Sequence, residues 1–434
     1  MNRPPMALAT AKRAQVMRPS RQILAYVLGG VLAPAVVWSL VRGIPIDANI
    51  SLITLAHIGV ANLVVWYTLN RLRTYARARL LSYVFPVNLL ILGVIFASNA
   101  LLRESLSYSL YLACAAATLF VSYVVTTRVR HANPKLRHVI IPIGDIGSVL
   151  KNAGFQEVSE AEALNSMIKE GQITGSIVAD LHHDHSPEWE RLLAAAALKG
   201  IPVYHYRLIE EALTGEVRIN HLRENDLGSL IPNTAYRTAK RVFDVAMVVV
   251  FSPFLLIGGI LIAAIIKLDS KGNVFFFQER IGYRGEEFRM VKFRTMRDRD
   301  VADTTDARRD DAITQDGDQR ITRIGGFLRK TRMDELPQAW NVLIGDMSWI
   351  GPRPEALELS KWYAGEIPFY AYRHIVRPGI TGWAQVNQGH VADLDSIQQK
   401  LRFDFFYVKN LSLWLDILIG LKTVRVIIGG MGAK

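Results

Sequence analysis

Phe243-Asp-Val-Ala-Met-Val-Val-Val-Phe-Ser252-Pro253-Phe-Leu-Leu-Ile-Gly-Gly-Ile-Leu-Ile-Ala-Ala-Ile-Ile266 decides how this 434-residue chain is organised. Asp244 is its only charge, and 24 residues are enough to cross a hydrocarbon core of ~30 Å. Two features speak against a crossing. Lys240 and Arg241 stand before the run and Lys267 and Lys271 after it, so the flanks show no inside–outside asymmetry. Ser252-Pro253 sits near the middle, where proline removes a helix hydrogen bond and a serine hydroxyl can satisfy the freed backbone. The pattern predicts a helix over 243–266, broken at Ser252 and Pro253, that enters and returns on one face. A kinked true span is the plain alternative.

Working outward, four charge-free runs upstream reach membrane length: Ile23 to Val41, Ile50 to Leu69, Leu80 to Leu102 and Tyr108 to Thr127. Arg18 and Arg21 precede the first, Arg71 to Arg79 separate the second and third, and Arg128 to Arg137 follow the fourth. The other two loops are nearly bare. Positive charge stays inside, so the tail 1–22 and everything after residue 130 are expected in the cytoplasm, with four transmembrane helices in 23–130. The net charge of +12 follows the same plan, with +13 in residues 1–137, −5 in 138–266 and +4 in 267–434. Basicity confined to membrane flanks argues against nucleic acid as a partner. Hydrophobic residues make up 50% of the chain, high for a soluble protein. Cys114 is the single cysteine, which excludes an intrachain disulfide. The tail has no apolar core of the signal-peptide kind.

Between the runs, residues 134–222 read as a small α/β unit. Val139 to Ile143, Ser176 to Asp180 and Ile201 to Tyr206 are strand-like, Glu188 to Leu198 is helix-like, and the alternation predicts a parallel sheet. Gly144-Asp-Ile-Gly147 has two of the three glycines of a dinucleotide fingerprint and a short following helix. His182-His183-Asp184-His185 could hold a metal, but without a second ligand cluster a polar loop after a strand is the plainer reading. Asn225, Asp226, Gly228 and Pro232 mark a linker over 223–236.

Downstream, Arg329-Lys-Thr-Arg332-Met-Asp334-Glu335-Leu-Pro337-Gln runs on to Gly351-Pro352-Arg353-Pro354-Glu355. Adjacent carboxylates meet arginines at the start of an apolar segment whose Pro337 suits a first helical turn. Such a group can hold a divalent cation and a pyrophosphate together. The tail segment Leu411 to Ile428 suits either the membrane interface or a core helix. Eight aspartates between Asp298 and Asp318 suggest a solvated loop.

Met333-Asp-Glu-Leu-Pro-Gln, Gly345-Asp-Met-Ser and Gly351-Pro-Arg-Pro-Glu, in that order, resemble the bacterial sugar transferase family. Lys292-Phe-Arg294-Thr-Met, Arg320-Ile-Thr-Arg-Ile-Gly, Arg377-Pro-Gly-Ile-Thr-Gly-Trp and Asp404-Phe-Phe-Tyr407-Val extend the resemblance over 237–434. Four membrane runs and a middle domain make the chain similar to the large monotopic phosphoglycosyl transferases. The implied fold is a mostly α membrane protein with α/β parts: a four-helix transmembrane bundle, an abbreviated Rossmann-like cytoplasmic domain and a monotopic catalytic domain with a re-entrant helix.

The resemblance also implies the chemistry. Asp334 would attack the β-phosphate of a UDP-hexose, glucose or galactose, expel UMP and form a phosphosugar-aspartyl intermediate for undecaprenyl phosphate to attack. Glu335, with Asp334, would bind Mg2+. Arg353, stiffened by Pro352 and Pro354, and then Lys292, Arg294, Arg320 and Arg329 would bind phosphate. The product would start exopolysaccharide, capsule or O-antigen assembly at the bacterial inner membrane, with a homodimer as the expected state. The re-entrant reading of 243–266 keeps this site with cytoplasmic nucleotide sugars. A glycosyltransferase releasing UDP and a non-catalytic scaffold of polysaccharide export are the alternatives.

Overall fold

The computed structural model describes residues 19–46, 48–73, 80–102, 107–131, 138–144, 146, 155–173, 175–218, 234–297, 318, 320–388 and 394–428. Most of the N-terminal tail and of the linker, Gly147, and the aspartate-rich stretch apart from Asp318 lie outside them. The chain divides into two compact units, Arg3–Gly215 and Glu216–Lys434.

The first unit opens with helices α1 (Pro19–Arg42), α2 (Asn49–Leu72), α3 (Leu80–Leu102) and α4 (Tyr108–His131). They bury polar side chains alongside an apolar core and leave large apolar ones exposed. Gln22, Asn62, Asn88, Thr118 and Ser122 are buried, while Leu40, Val41, Leu89, Leu112 and Phe120 are exposed. Polar groups pair across helices, Trp66 Nε1 donating to Gln22 Oε1 at 3.1 Å and Ser122 Oγ to Asn88 Oδ1 at 3.3 Å. That arrangement suits hydrocarbon, where buried polar groups must be satisfied internally and apolar ones need no cover. Leu28–Leu32 in α1 is a π-turn. A Cβ on Gly30 there would come within 2.7 Å of Asn62 Oδ1, so the glycine permits the close approach of α2. All four helices are long and apolar enough to cross a bilayer, and the protein is a membrane protein.

A sheet of four short strands follows: β1 (Val139–Ile140), β2 (Gln156–Glu157), β3 (Ile177–Ala179) and β4 (Val203–His205), all parallel in the order β2-β1-β3-β4. Side chains alternate across it. Val139, Ile141, Ile177 and Ala179 pack with α5 (Ala161–Lys169) and α6 (Pro187–Leu198), while Ile140 and Val178 meet Tyr206 and Ile209 of α7 (Tyr206–Thr214). Three expected strands are present and shorter. β2 escapes sequence reading because both its residues are polar and exposed.

The second unit begins with α8 (Thr234–Asp269), so helix starts inside the stretch expected as linker. α8 runs without interruption through Pro253. Proline cannot donate to the carbonyl four residues back, which is Val249, and Ser252 Oγ donates to that same oxygen at 2.7 Å. The break expected at Ser252-Pro253 is therefore absent: the serine hydroxyl takes up the carbonyl that proline frees, and the helix continues. Asp244, Val248, Leu255, Ile262 and Ile266 form one helical stripe covered by the unit, and most of the remaining surface, including Val250, Phe254, Ile257 and Leu261, is exposed.

After α8 come the antiparallel hairpin β5 (Phe275–Ile281) and β6 (Glu287–Phe293), α9 (Arg323–Thr331) and α10 (Gln338–Ile344). Then follow β7 (Ser348–Ile350), α11 (Leu357–Glu366), β8 (Gly379–Thr381), α12 (Trp383–Asn387), α13 (Leu394–Lys409) and α14 (Leu413–Ile428). β7 and β8 pair in parallel. Leu415, Leu418 and Ile419 of α14 are fully buried, so one face of the tail segment belongs to the core.

Candidate active site

The carboxylate pair sits on a chain reversal. Arg332 adopts left-handed φ 60° as it ends α9, its N–H returning to Arg329 and Leu328. A non-glycine residue holds that conformation at a cost of about 1 kcal/mol or more, and such strain concentrates where geometry matters. A 3-10 turn, Met333–Glu335, follows at once and carries Asp334 and Glu335. Pro337 caps α10 from the N-cap position, one place before the helical turn expected for it. Asn341 then clamps α10 to β6, accepting from Val291 N–H at 3.1 Å and donating to Arg289 O at 2.8 Å. That clamp brings Lys292 of β6 to the turn.

Glu335 Oε1 collects three cations. Arg353 Nη2 lies 2.8 Å away, Arg332 Nη1 3.5 Å and Lys292 Nζ 3.6 Å. Beside it, Asp334 Oδ1 is buried and has no hydrogen-bond partner among the described residues. The Pro352-Arg353-Pro354 turn is fixed by its own backbone: Gly379 N–H donates to Pro352 O at 2.9 Å, Arg280 Nη1 to Pro354 O at 2.7 Å and Arg373 Nη2 to Arg353 O at 2.8 Å. A Cβ on Gly379 would lie 2.0 Å from Gly351 N, so the β7–β8 contact beneath the turn requires glycine.

The two carboxylates differ electrically. Burial raises both, but for Glu335 the neighbouring Arg353, Lys292 and Arg332 outweigh it and hold the group well below the usual carboxylate range. For Asp334 burial wins over the attraction of Lys292, and its pKa is raised. Burial also lowers Lys292 to about 8. An unpartnered, buried carboxylate oxygen amid arginine and lysine suits attack on a phosphorus bearing negative oxygens. Asp334 and Glu335 also offer the hard oxygen donors that Mg2+ shares with substrate phosphates, and the orphaned Asp334 Oδ1 fits such use.

The UDP-N-acetylgalactosamine-undecaprenyl-phosphate N-acetylgalactosaminephosphotransferase of Aeromonas hydrophila is 41% identical to this chain over 396 residues, 88% of each protein. The bacterial sugar transferase family profile matches residues 235–430. The chain belongs to the bacterial sugar transferase family. It is an enzyme, a phosphoglycosyl transferase. The UDP-glucose:undecaprenyl-phosphate glucose-1-phosphate transferase of Xanthomonas campestris pv. campestris is 42% identical over 218 residues, 49% of this chain and 43% of the relative. The protein of the same description from Escherichia coli (strain K12) is 37% identical over 229 residues, 50% and 47%.

All residues singled out for the sugar transferase chemistry lie within the matched segment, yet the structure uses them differently. It gathers Asp334, Glu335, Lys292 and Arg353. Arg329 is half-buried and within electrostatic reach of Asp334. Arg320 turns to Asp318, Nη2 to Oδ2 at 2.6 Å. Arg294 is buried and donates to Lys271 O and to Ser270 O and Oγ, anchoring the end of α8. Asp404 pairs with Arg373 at 2.8 Å, and Tyr407 OH donates to Ile350 O at 3.0 Å, within the core. Sequence reading missed Arg280, Asn341 and Arg373. Each works through backbone carbonyls or amides of distant segments, which no local motif announces.

Proposed function

We propose that this bacterial sugar transferase moves hexose-1-phosphate from a UDP-sugar to undecaprenyl phosphate through a covalent Asp334 intermediate. The observation that carries the reading is the buried, unpartnered Asp334 Oδ1 beside a glutamate held by Arg353, Lys292 and Arg332. Asp334 forms a bond to the β-phosphorus of the donor, the bond to the bridging oxygen breaks, and UMP leaves with the electron pair. A phosphate oxygen of undecaprenyl phosphate then attacks the same phosphorus and returns Asp334 as carboxylate. Arg353 and Lys292 screen the meeting anions, the guanidinium as a planar fork and the ammonium as a point charge. Glu335 keeps both cations in place before substrate arrives. Bound by Glu335 and Asp334, Mg2+ would supply charge neutralisation on the diphosphate.

Support for an α8 that stays on one side of the membrane, although it is itself long and apolar enough to cross, comes from what it touches. Arg241 near its start donates to Leu343 O at 2.9 Å, Ile266 near its end packs on Phe293 and Leu328, and the stripe between meets Met290 and Ala339. A crossing helix would carry this polar, charged unit into hydrocarbon, at several kcal/mol per exposed charge. Exposed Phe275, Phe276, Phe277, Phe327 and Trp340 of the same unit suit a lipid surface. The site then faces the cytoplasm of the inner membrane.

Test the detergent-purified protein with undecaprenyl phosphate, Mg2+ and a UDP-hexose panel that includes glucose, galactose and N-acetylgalactosamine, the last because the Aeromonas relative named for it matches over 88% of each chain. UMP with a labelled lipid diphosphate is expected, and chelation of the metal should abolish both. Donor without lipid should release one UMP per site and leave label on Asp334. Release of UDP would replace this reading with simple glycosyl transfer, and silence with every donor would favour the scaffold.

A further inference from the structure

The carboxyl edge of the parallel sheet gathers side chains for which the proposed transfer has no use. Strand order reverses between β1 and β3, and at such a point ligands bind in the crevice outside the strand ends. Asp180 follows β3 directly, His182 lies two residues on, and His205 ends β4, where it pairs with Ala179 of β3. One ligand atom from each of the three lies within 4.8 Å of the others. His205 Nδ1 lies 3.6 Å from Asp180 Oδ1.

The group is held in place by its surroundings. His182 N–H donates to Asp180 Oδ1 at 3.1 Å, His205 Nδ1 lies 3.2 Å from Leu181 N and 3.4 Å from Ala179 O, to which it donates in the tautomer that leaves Nε2 free, and the His182 and His205 rings meet at 4.4 Å. Gly144 at φ 89° gives the carboxylate its room, since a Cβ there would lie 2.7 Å from Asp180 Oδ2. His205 Nε2 is buried with no hydrogen-bond partner among the described residues. That last atom points to a ligand.

We propose that Asp180, His182 and His205 bind one divalent transition-metal ion of the zinc class, with a coordination position open to solvent beside the exposed His182. Two imidazoles and one carboxylate select zinc, cobalt, nickel or copper over magnesium, the reverse of the all-oxygen pair Asp334 and Glu335. The fold thus supplies, in His205, the second ligand group that the His182–His185 stretch lacks.

The test uses the full chain in detergent, purified without a polyhistidine tag, stripped of metal and titrated with Zn2+ against a chromophoric indicator. Millimolar Mg2+ is kept present to occupy carboxylate sites. One Zn2+ per chain is expected, with binding at least about tenfold weaker in His182→Ala and His205→Gln and unchanged in His183→Ala. Absence of stoichiometric binding, or full affinity in His182→Ala, overturns the proposal. His182 is exposed, so its variant decides the matter even if His205→Gln fails to fold.

Discussion

Two buried ionic centres in the second unit use the same residue types to different ends. Around Glu355 each carboxylate has its own cation: Lys400 contacts Glu355 directly, with Arg373 3.6 Å away and Arg280 in electrostatic reach, and Arg373 pairs with Asp404 at 2.8 Å. Around Glu335 three cations converge on a single oxygen while Asp334 Oδ1 beside it has no hydrogen-bond partner among the described residues. A matched buried cluster holds segments together. A cluster that gathers three cations on one carboxylate oxygen and leaves its neighbour without one suits the phosphate chemistry proposed above.

The largest effect should come from Asp334→Asn. Loss of UMP release on the order of a thousandfold or more is expected, with thermal unfolding in detergent unchanged or slightly later, because a buried carboxylate whose charge burial disfavours is removed. A melting temperature that falls as far as in a Glu355 variant would erase the contrast between the centres. Glu355→Gln should behave oppositely: removing one partner of a buried network costs about 3–5 kcal/mol, read as early unfolding, with activity lost only as folded protein is lost.

Smaller changes sharpen the site itself. Arg353→Lys keeps a charge but not the fork, and kcat/KM should fall roughly 10- to 100-fold at an unchanged melting temperature. The smallest effect is a pH profile. Lys292, lowered to about 8 by burial, is an ammonium below that value and neutral above it, so kcat/KM should decline severalfold as pH rises through about 8. Lys292→Arg, always charged, should lose that limb. Stability moves the other way. Between about 8 and the ordinary lysine value of about 10.4 the unfolded chain holds a proton that the folded one does not, and this group adds to stability as pH rises.

Part of this was legible in the residues. Apolar runs of membrane length need only composition, and all four begin and end within a few residues of α1 to α4. Asp334, Glu335 and Arg353 were legible because the motifs carrying them are local. Lys292 is brought to Glu335 by pairing between β5 and β6 and by Asn341, so its motif named the residue but not its neighbour. Arg294 shares that motif two residues on and serves the end of α8.

The sequence by itself determined that the chain is a membrane protein, that it belongs with the sugar transferases, and which carboxylates to watch, since hydropathy and short motifs are properties of contiguous residues. Only the tertiary structure decided which side of α8 is covered, why Asp334 and Glu335 titrate in opposite directions, and that His205 joins Asp180 and His182. Burial and charge pairing depend on distances between segments far apart in the chain, and those distances come into being only when the strands and helices pack.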